Sequence, residues 1–184
     1  MENAFAWLKN VIEWLGQFIP QWEIVDTTRG WIKWVRGYKV KTGGAGIVWH
    51  WPVVTRFMTY AIARQTTPLP SQVITTTDEK VVVVSGMLVY EITDLVPLIA
   101  HTYDAEDTIR DIATSSLHDV CSHQTWEELR TGQGRTLDTK LRNEAQKDLK
   151  AYGVRVIKFT LTTLAPCNVT RVIRSDFQEG EIRS

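Results

Sequence analysis

Hydrophobic residues recur at three- and four-residue steps near the N-terminus, and this spacing predicts an amphipathic helix over residues 3–19. Polar residues such as Lys9 and Glu13 occupy its other side, and Pro20 ends the pattern. The apolar residues that we expect to contact a membrane are Phe5, Trp7, Leu8, Val11, Ile12, Trp14, Leu15, Phe18 and Ile19. Residues 1–20 are therefore predicted to form a membrane-associating helix.

Strand-like patterns replace the helical spacing between about residues 22 and 92. Apolar or alternating segments, separated by glycine, proline and polar turn residues, cover residues 30–37, 47–51, 53–63, 73–77 and 80–92. The last two segments predict a hairpin around residues 77–79. The most apolar run, residues 81–90, is rich in β-branched residues and contains Ser85 and Gly86, so we expect a buried strand there.

Helical spacing returns in the second half of the chain. Residues 95–102 predict a short helix, Asp104 is placed to cap a longer one, and Thr125 is placed to cap another short one. The buried side of the longer helix is predicted to be Ile109, Ile112, Ala113, Ser116, Leu117 and Val120. The apolar face of the last helix comprises Leu137, Leu141, Ala145, Leu149 and Tyr152, and Gly153 is placed to end it.

Ile157, Phe159 and Leu161 alternate with polar residues, which predicts a final strand with one buried face. Strands first, helices next and one late strand predict an α+β fold, with a mainly antiparallel sheet followed by packed helices. We divide the chain into the N-terminal helix, one domain over residues 21–166, and a tail or the start of a helix over residues 167–184.

Tryptophan and charge are distributed unevenly along the chain. Seven of the eight tryptophans lie in the first 51 residues, and residues 27–77 contain no acid but seven lysines and arginines. Tryptophan favours membrane interfaces, and basic residues favour anionic lipid. The strand residues that we expect to face a membrane are Trp31, Lys33, Trp34, Arg36, Trp49 and Trp51. The formal net charge is zero, which does not indicate a nucleic-acid-binding protein.

Motifs for chemistry are sparse. His118, Cys121 and His123 are the best local candidates for a metal site, but we favour a packed thiol and two surface or capping histidines. Ser115, Ser116 or Cys121 could serve a hydrolase, yet no nucleophile elbow surrounds them. We therefore predict no catalysis, no cofactor and no metal. Two cysteines without a disulfide framework fit a reducing compartment.

Several short sequence motifs, taken in their order and spacing, are similar to those of a known protein family. They are Arg29-Gly-Trp-Ile32, the Gly43–Gly46 turn leading to Trp51-Pro-Val53, the segment from Pro70 to Asp78, and Tyr152-Gly-Val-Arg-Val-Ile157. Together they resemble the stomatin–prohibitin–flotillin superfamily, whose shared unit is the SPFH or band-7 domain. The resemblance runs from about residue 24 to residue 166.

The resemblance implies an α+β domain held at a membrane, without enzymatic activity. It implies assembly with copies of itself, organisation of membrane patches, and regulation of membrane proteins such as proteases or channels. An amphipathic helix replaces the spanning helix or hairpin of the family, and no long coiled coil follows the domain. We therefore expect either a minimal member of the family or a truncated form of a longer one.

Our leading hypothesis is a non-enzymatic scaffold on an anionic membrane surface. The expected location is the cytoplasmic face of a membrane. If the protein is bacterial or belongs to a bacterial virus, that membrane is the inner membrane. The alternative is a soluble binding module whose N-terminal helix docks on a partner or a sister subunit.

Overall fold

The computed structural model of the protein describes Gly16, residues 19–132 and residues 135–167. Of the predicted N-terminal helix, all residues before Gly16, as well as residues 17 and 18, lie outside the described residues. So does the predicted tail beyond Cys167. Within the described residues the chain forms three antiparallel sheets followed by four α-helices and a closing strand, which confirms the predicted α+β fold.

The elements have the following bounds. The strands are β1 (Gln21–Val25), β2 (Arg29–Val35), β3 (Lys39–Gly43), β4 (Gly46–His50), β5 (Thr55–Ala61), β6 (Gln65–Pro68), β7 (Gln72–Thr75), β8 (Val81–Ile92) and β9 (Val154–Pro166). The helices are α1 (Leu95–His101), α2 (Ala105–Ser122), α3 (Trp126–Gly132) and α4 (Arg135–Leu149), and a 3-10 turn (Lys150–Tyr152) joins α4 to β9.

The first half of the domain contains two small sheets. Strands β1 and β4 pair as a two-stranded ribbon, and β2 lies between β3 and β5 in a three-stranded sheet. The third sheet is built on the long strand β8. Strands β6 and β7 pair with its two ends along one edge, and β9 pairs with it along the other. The predicted hairpin around residues 77–79 is the β7–β8 connection.

One core lies between the third sheet and the helices. The β8 residues Val82, Val84 and Leu88 are fully buried, as expected for the apolar run. The predicted stripe of α2 is buried at Ile109, Ala113, Ser116 and Leu117, with Ile112 and Val120 partly covered. The predicted face of α4 is buried at Leu137, Leu141, Ala145 and Leu149, and Tyr152 packs against the same core.

The predicted caps form as expected. The Asp104 side chain accepts hydrogen bonds from the backbone N–H groups of Glu106 and Asp107, which begins α2. Thr125 and Glu128 bond reciprocally, side chain to backbone, at the start of α3. Gly153 follows the 3-10 turn in the left-handed conformation, with φ of 72°. These local signals therefore determine where the helices begin and end.

Strand β9 departs from simple alternation. Val89 pairs with Lys158 and Tyr90 with Val156, so Ile157 is an extra residue without a partner on β8. The bulge moves the buried positions to Val154 and Val156, while Ile157 is only partly covered. The prediction that Ile157 shares the buried face of Phe159 is therefore wrong, because a bulge reverses the alternation at that point.

Side chains of α4 occupy the outer edge of β9. The Val156 N–H donates to Gln146 Oε1 at 2.8 Å, and Gln146 Nε2 donates to the Val154 carbonyl at 3.1 Å. Arg142 Nε donates to the Val156 carbonyl at 3.3 Å. These bonds satisfy backbone groups that an edge strand otherwise leaves open.

The β7–β8 turn is joined to α3 through Asp78. Its Oδ1 accepts from the Thr76 hydroxyl at 2.6 Å and from the Trp126 backbone N–H at 3.0 Å, and Lys80 Nζ lies 3.2 Å from its Oδ2. These interactions, led by the Thr76 hydroxyl, lower the pKa of Asp78 from 3.8 to about 2. The carboxylate therefore favours the folded state while it is charged.

We expect the Asp78 contribution to stability to be complete above pH 4 and to disappear as the pH falls towards 2. The sign follows because the folded pKa lies below the unfolded one. In urea titrations, an Asp78→Asn variant should lose less stability than the wild type between pH 4 and pH 2. Identical pH profiles would contradict this assignment.

Candidate membrane-facing surface

The β1–β4 ribbon presents a fully apolar face to the outside of the domain. Its register places Trp22 opposite Trp49 and Ile24 opposite Ile47. Because alternate residues of a strand share a face, these four side chains lie together, and we call them the outer face. Their exposed fractions are 77% for Trp22, 78% for Ile24, 74% for Ile47 and 58% for Trp49. No described residue covers them.

The other face of the ribbon is directed towards the domain. Val25 and Val48 are buried there. The imidazole of His50 stacks on Phe57 of β5, with 4.9 Å between ring centroids and an interplanar angle of 7°. The inner face is mixed, because Gln21, Glu23 and His50 share it with the two valines, whereas the outer face is wholly apolar. The apolar face of the ribbon is therefore the one that no described residue packs against.

Further apolar side chains surround one end of the outer face. Gln21 and His50 form the last pair of the ribbon, and Ile19 and Trp51 are exposed just beyond it. Val53 and Val54 are exposed in the loop that follows Trp51. The apolar surface therefore continues towards the segment that precedes β1, where the amphipathic helix is predicted.

The two tryptophans of β2 point to opposite faces of their sheet. Trp31 lies against Gly43, where a Cβ atom would be 2.6 Å from the indole ring, and it stacks on Phe57 with 6.2 Å between centroids. Trp34 is partly covered and borders a cavity of about 570 Å³ together with Pro52 and Arg56. Both indoles pack against protein, whereas Trp49 and Trp51 are mostly exposed.

The basic residues near the ribbon have no acidic partners within the described part of the chain. Lys33 Nζ donates to the Trp49 carbonyl at 3.2 Å and lies 5.2 Å from the Trp31 ring centroid. Arg36 occupies the β2–β3 turn with φ of 53°. The salt bridges of the described residues all lie between residues 78 and 155, away from these cations.

Comparison with known protein families identifies the family of the chain. A family model described as the SPFH domain / Band 7 family matches residues 23–182. The chain belongs to this family. SPFH proteins are generally membrane-associated scaffolds or regulators and are generally not enzymes. Among individual curated proteins, none matches the chain.

No helix among the described residues of this SPFH protein is long and apolar enough to cross a bilayer. Of the residues predicted to face a membrane, the structure places Ile19, Trp49 and Trp51 on the exposed apolar surface. Lys33 and Trp31 lie behind the ribbon, and Trp34 is on the opposite face of its sheet. Phe5, Trp7, Leu8, Val11, Ile12, Trp14, Leu15 and Phe18 lie outside the described residues.

The residues of the SPFH protein that were predicted from sequence to face a membrane did not include Trp22, Ile24 and Ile47. A signal was available, because Trp22 and Ile24 are two residues apart, as are Ile47 and Trp49. That spacing places each pair on one face of a strand, but it does not show whether the face is covered. The pairing of β1 with β4, across 20 intervening residues, brings the two pairs together.

Cys121 and Ser116, two of the candidate reactive residues, are part of the packed interior of this SPFH domain. Cys121 is buried in the core, and burial raises the pKa of its thiol to about 11, which disfavours the thiolate needed for metal binding or nucleophilic attack. The Ser116 hydroxyl donates to the Ile112 carbonyl at 2.9 Å. Within the described ranges, no group of three or more His, Cys, Asp or Glu side chains is placed to hold a metal ion.

Proposed function

We propose that this SPFH protein is a peripheral membrane scaffold that inserts the outer face of its β1–β4 ribbon into the bilayer interface. The single observation that carries the proposal is the outer face itself, where four large apolar side chains are mostly exposed in a direct cross-strand arrangement. An exposed apolar cluster of this kind marks an interaction site in a folded protein.

The energy available from this face is sufficient for attachment. Full burial of a large apolar side chain contributes about 1.5–3 kcal/mol, so partial burial of four contributes about 4–8 kcal/mol before orientation costs. The ribbon is already paired in the folded domain, so little conformational entropy is lost on insertion. The predicted N-terminal helix would add a second apolar element directly before β1.

Two features favour a bilayer over a protein groove. The outer face carries two tryptophans, whose rings are 6.1 Å apart, and tryptophan is enriched at the headgroup level of membranes. Residues 27–77, which include β4 and the sheet behind the ribbon, are basic and contain no acid, which suits an anionic leaflet, although β1 itself carries Glu23. We propose the cytoplasmic face, with assembly of several copies and regulation of membrane proteins, in keeping with the family.

Flotation of the full chain with vesicles tests this proposal. We expect binding to neutral phosphatidylcholine vesicles that persists at high salt, because insertion is apolar, and stronger binding to phosphatidylserine vesicles at low salt. Electron microscopy of the floated fraction should show assemblies on the vesicle surface. Failure to float with either vesicle at low salt would reject the proposal.

The second candidate function is docking on protein, since aromatic and apolar residues also form the centres of protein interfaces. In that case the chain would remain with the soluble fraction in flotation. Its self-association, or its association with a partner, would instead bury the outer face in the absence of lipid. Sedimentation velocity at several protein concentrations, with and without vesicles, separates the two functions.

A further inference from the structure

Two lysines stand directly opposite each other on neighbouring strands. The β2–β3 register pairs Lys33 with Lys41, and Lys39, two residues along β3, shares their face of the sheet. Directly opposite residues have Cβ atoms about 4.5–5.5 Å apart, and like charges at this distance destabilise the pair. None of the three lysines forms a salt bridge with an acidic residue of the described chain.

The Lys33 ammonium is held in place. It donates to the Trp49 carbonyl at 3.2 Å and lies 5.2 Å from the centroid of the Trp31 ring. An ammonium carries three donor hydrogens, so this arrangement leaves donors for a further acceptor. Lys41 and Lys39 are exposed on the same face of the sheet, and Lys39 Nζ lies 5.9 Å from the centroid of the Tyr38 ring. The register directs Glu23 towards the inner side of the ribbon, opposite Val48, but its carboxylate does not pair with these lysines.

We propose that Lys33, Lys41 and Lys39 bind a phosphomonoester, and that in the cell this group belongs to a lipid headgroup. The inference rests on the proposed membrane function, because the site lies immediately behind the ribbon whose outer face inserts. Packed β-layers are about 10 Å apart. An outer face buried at the acyl boundary therefore places these lysines at the depth of the headgroups.

The charge of the site favours a phosphomonoester over other anionic groups. A phosphomonoester carries about −1.5 to −2 charges at neutral pH and offers three strong acceptor oxygens. A single phosphomonoester group can therefore neutralise the charges of both Lys33 and Lys41. A carboxylate or a phosphodiester brings a single charge and leaves one lysine of the pair uncompensated.

Vesicles of equal total charge test the lipid source. Phosphatidic acid carries a phosphomonoester, whereas phosphatidylserine does not, and the molar fractions are adjusted until the surface charge matches. The full chain should prefer the phosphatidic acid vesicles, and each of the single variants Lys33→Gln and Lys41→Gln should reduce that preference about fivefold. Lys158→Gln, an exposed strand lysine on β9, is the matched control and should retain the preference.

A soluble probe tests the site without a membrane. Inositol trisphosphate should raise the melting temperature of the full chain but not that of the Lys33→Gln, Lys41→Gln double variant. Lys41→Gln alone should melt no lower than the wild type, since it removes a like-charge pair. A lower melting temperature for this variant would contradict the proposed repulsion.

The vesicle experiment and the soluble-probe experiment separate the possible explanations. Stabilisation by inositol trisphosphate without a lipid preference supports the phosphate site and overturns its lipid source. Flotation with no preference and no stabilisation overturns the inference but leaves the proposed membrane function intact. Absence of flotation with every vesicle rejects the membrane function, and the soluble arm still decides whether the phosphate site exists.

Discussion

Replacement of Gly153 by alanine is expected to lower the free energy of unfolding by about 2–5 kcal/mol, a large share of the stability of an ordinary domain. Gly153 has φ of 72°, a conformation that L-residues adopt only at a cost. A Cβ atom there would also overlap the Asp94 carbonyl oxygen and would lie 2.9 Å from Asp94 Cβ and 3.0 Å from Pro97 Cγ.

The position is critical because Gly153 joins three elements. Its carbonyl accepts hydrogen bonds from the Thr93 N–H at 2.8 Å, the Asp94 N–H at 3.1 Å and the Thr93 hydroxyl at 2.8 Å. The end of β8 and the start of α1 are thereby fixed against the start of β9. A side chain at this position must push α1 away or break these bonds, so strain cannot be relieved locally.

Comparison with a second glycine separates the steric clash from the backbone strain that Gly153→Ala introduces. Gly37 has a similar φ of 78°, but a Cβ atom there would meet nothing within 4 Å. Gly37→Ala should therefore cost only the conformational term, about 1–2 kcal/mol. Urea unfolding followed by circular dichroism measures both variants. Equal losses would mean that α1 shifts freely and that the contact with Asp94 is unimportant.

Replacement of the whole outer face by threonine is expected to weaken vesicle binding by about two to three orders of magnitude. The substitutions are Trp22→Thr, Ile24→Thr, Ile47→Thr and Trp49→Thr. Because threonine keeps one methyl group at each position, the replacement removes only part of the about 4–8 kcal/mol that the four side chains contribute, about 3–4 kcal/mol, and about 1.4 kcal/mol corresponds to a tenfold change in affinity. Threonine is chosen because its β-branched side chain suits a strand.

The same variant should fold as stably as the wild type, within about 1 kcal/mol, because exposed side chains contribute little to stability. The matched control is Val73→Thr with Tyr103→Thr, which removes two exposed apolar side chains outside the ribbon. Vesicle titration should show unchanged affinity for that control. Unchanged affinity of the outer-face variant would assign attachment to another part of the chain.

Much of the second half of the fold follows from local sequence signals. The apolar run of β8, the stripe of α2 and the face of α4 are long enough for their periodicity to identify them. Asp104 and Thr125 act as caps because their short side chains reach backbone N–H groups within the next three residues. Such features depend on neighbours in sequence, which a single chain displays directly.

The candidate surface depends instead on pairing between distant segments. Nothing local to residues 21–25 specifies that they pair with residues 46–50, or that the face with Trp22 and Ile24 remains uncovered. The opposite orientations of Trp31 and Trp34 follow from strand periodicity, but the close approach of Trp31 to Gly43 requires β3 to lie beside β2. The bulge at Ile157 likewise arises from matching β9 to β8.

The amide of Gln146 has a mechanical consequence. Because it bonds to Val156 and Val154 on one strand, α4 cannot slide along β9 without breaking both bonds. Strand β9 is in turn paired with β8 over almost its whole length. A load applied to α4 would therefore reach the central strand β8 through β9.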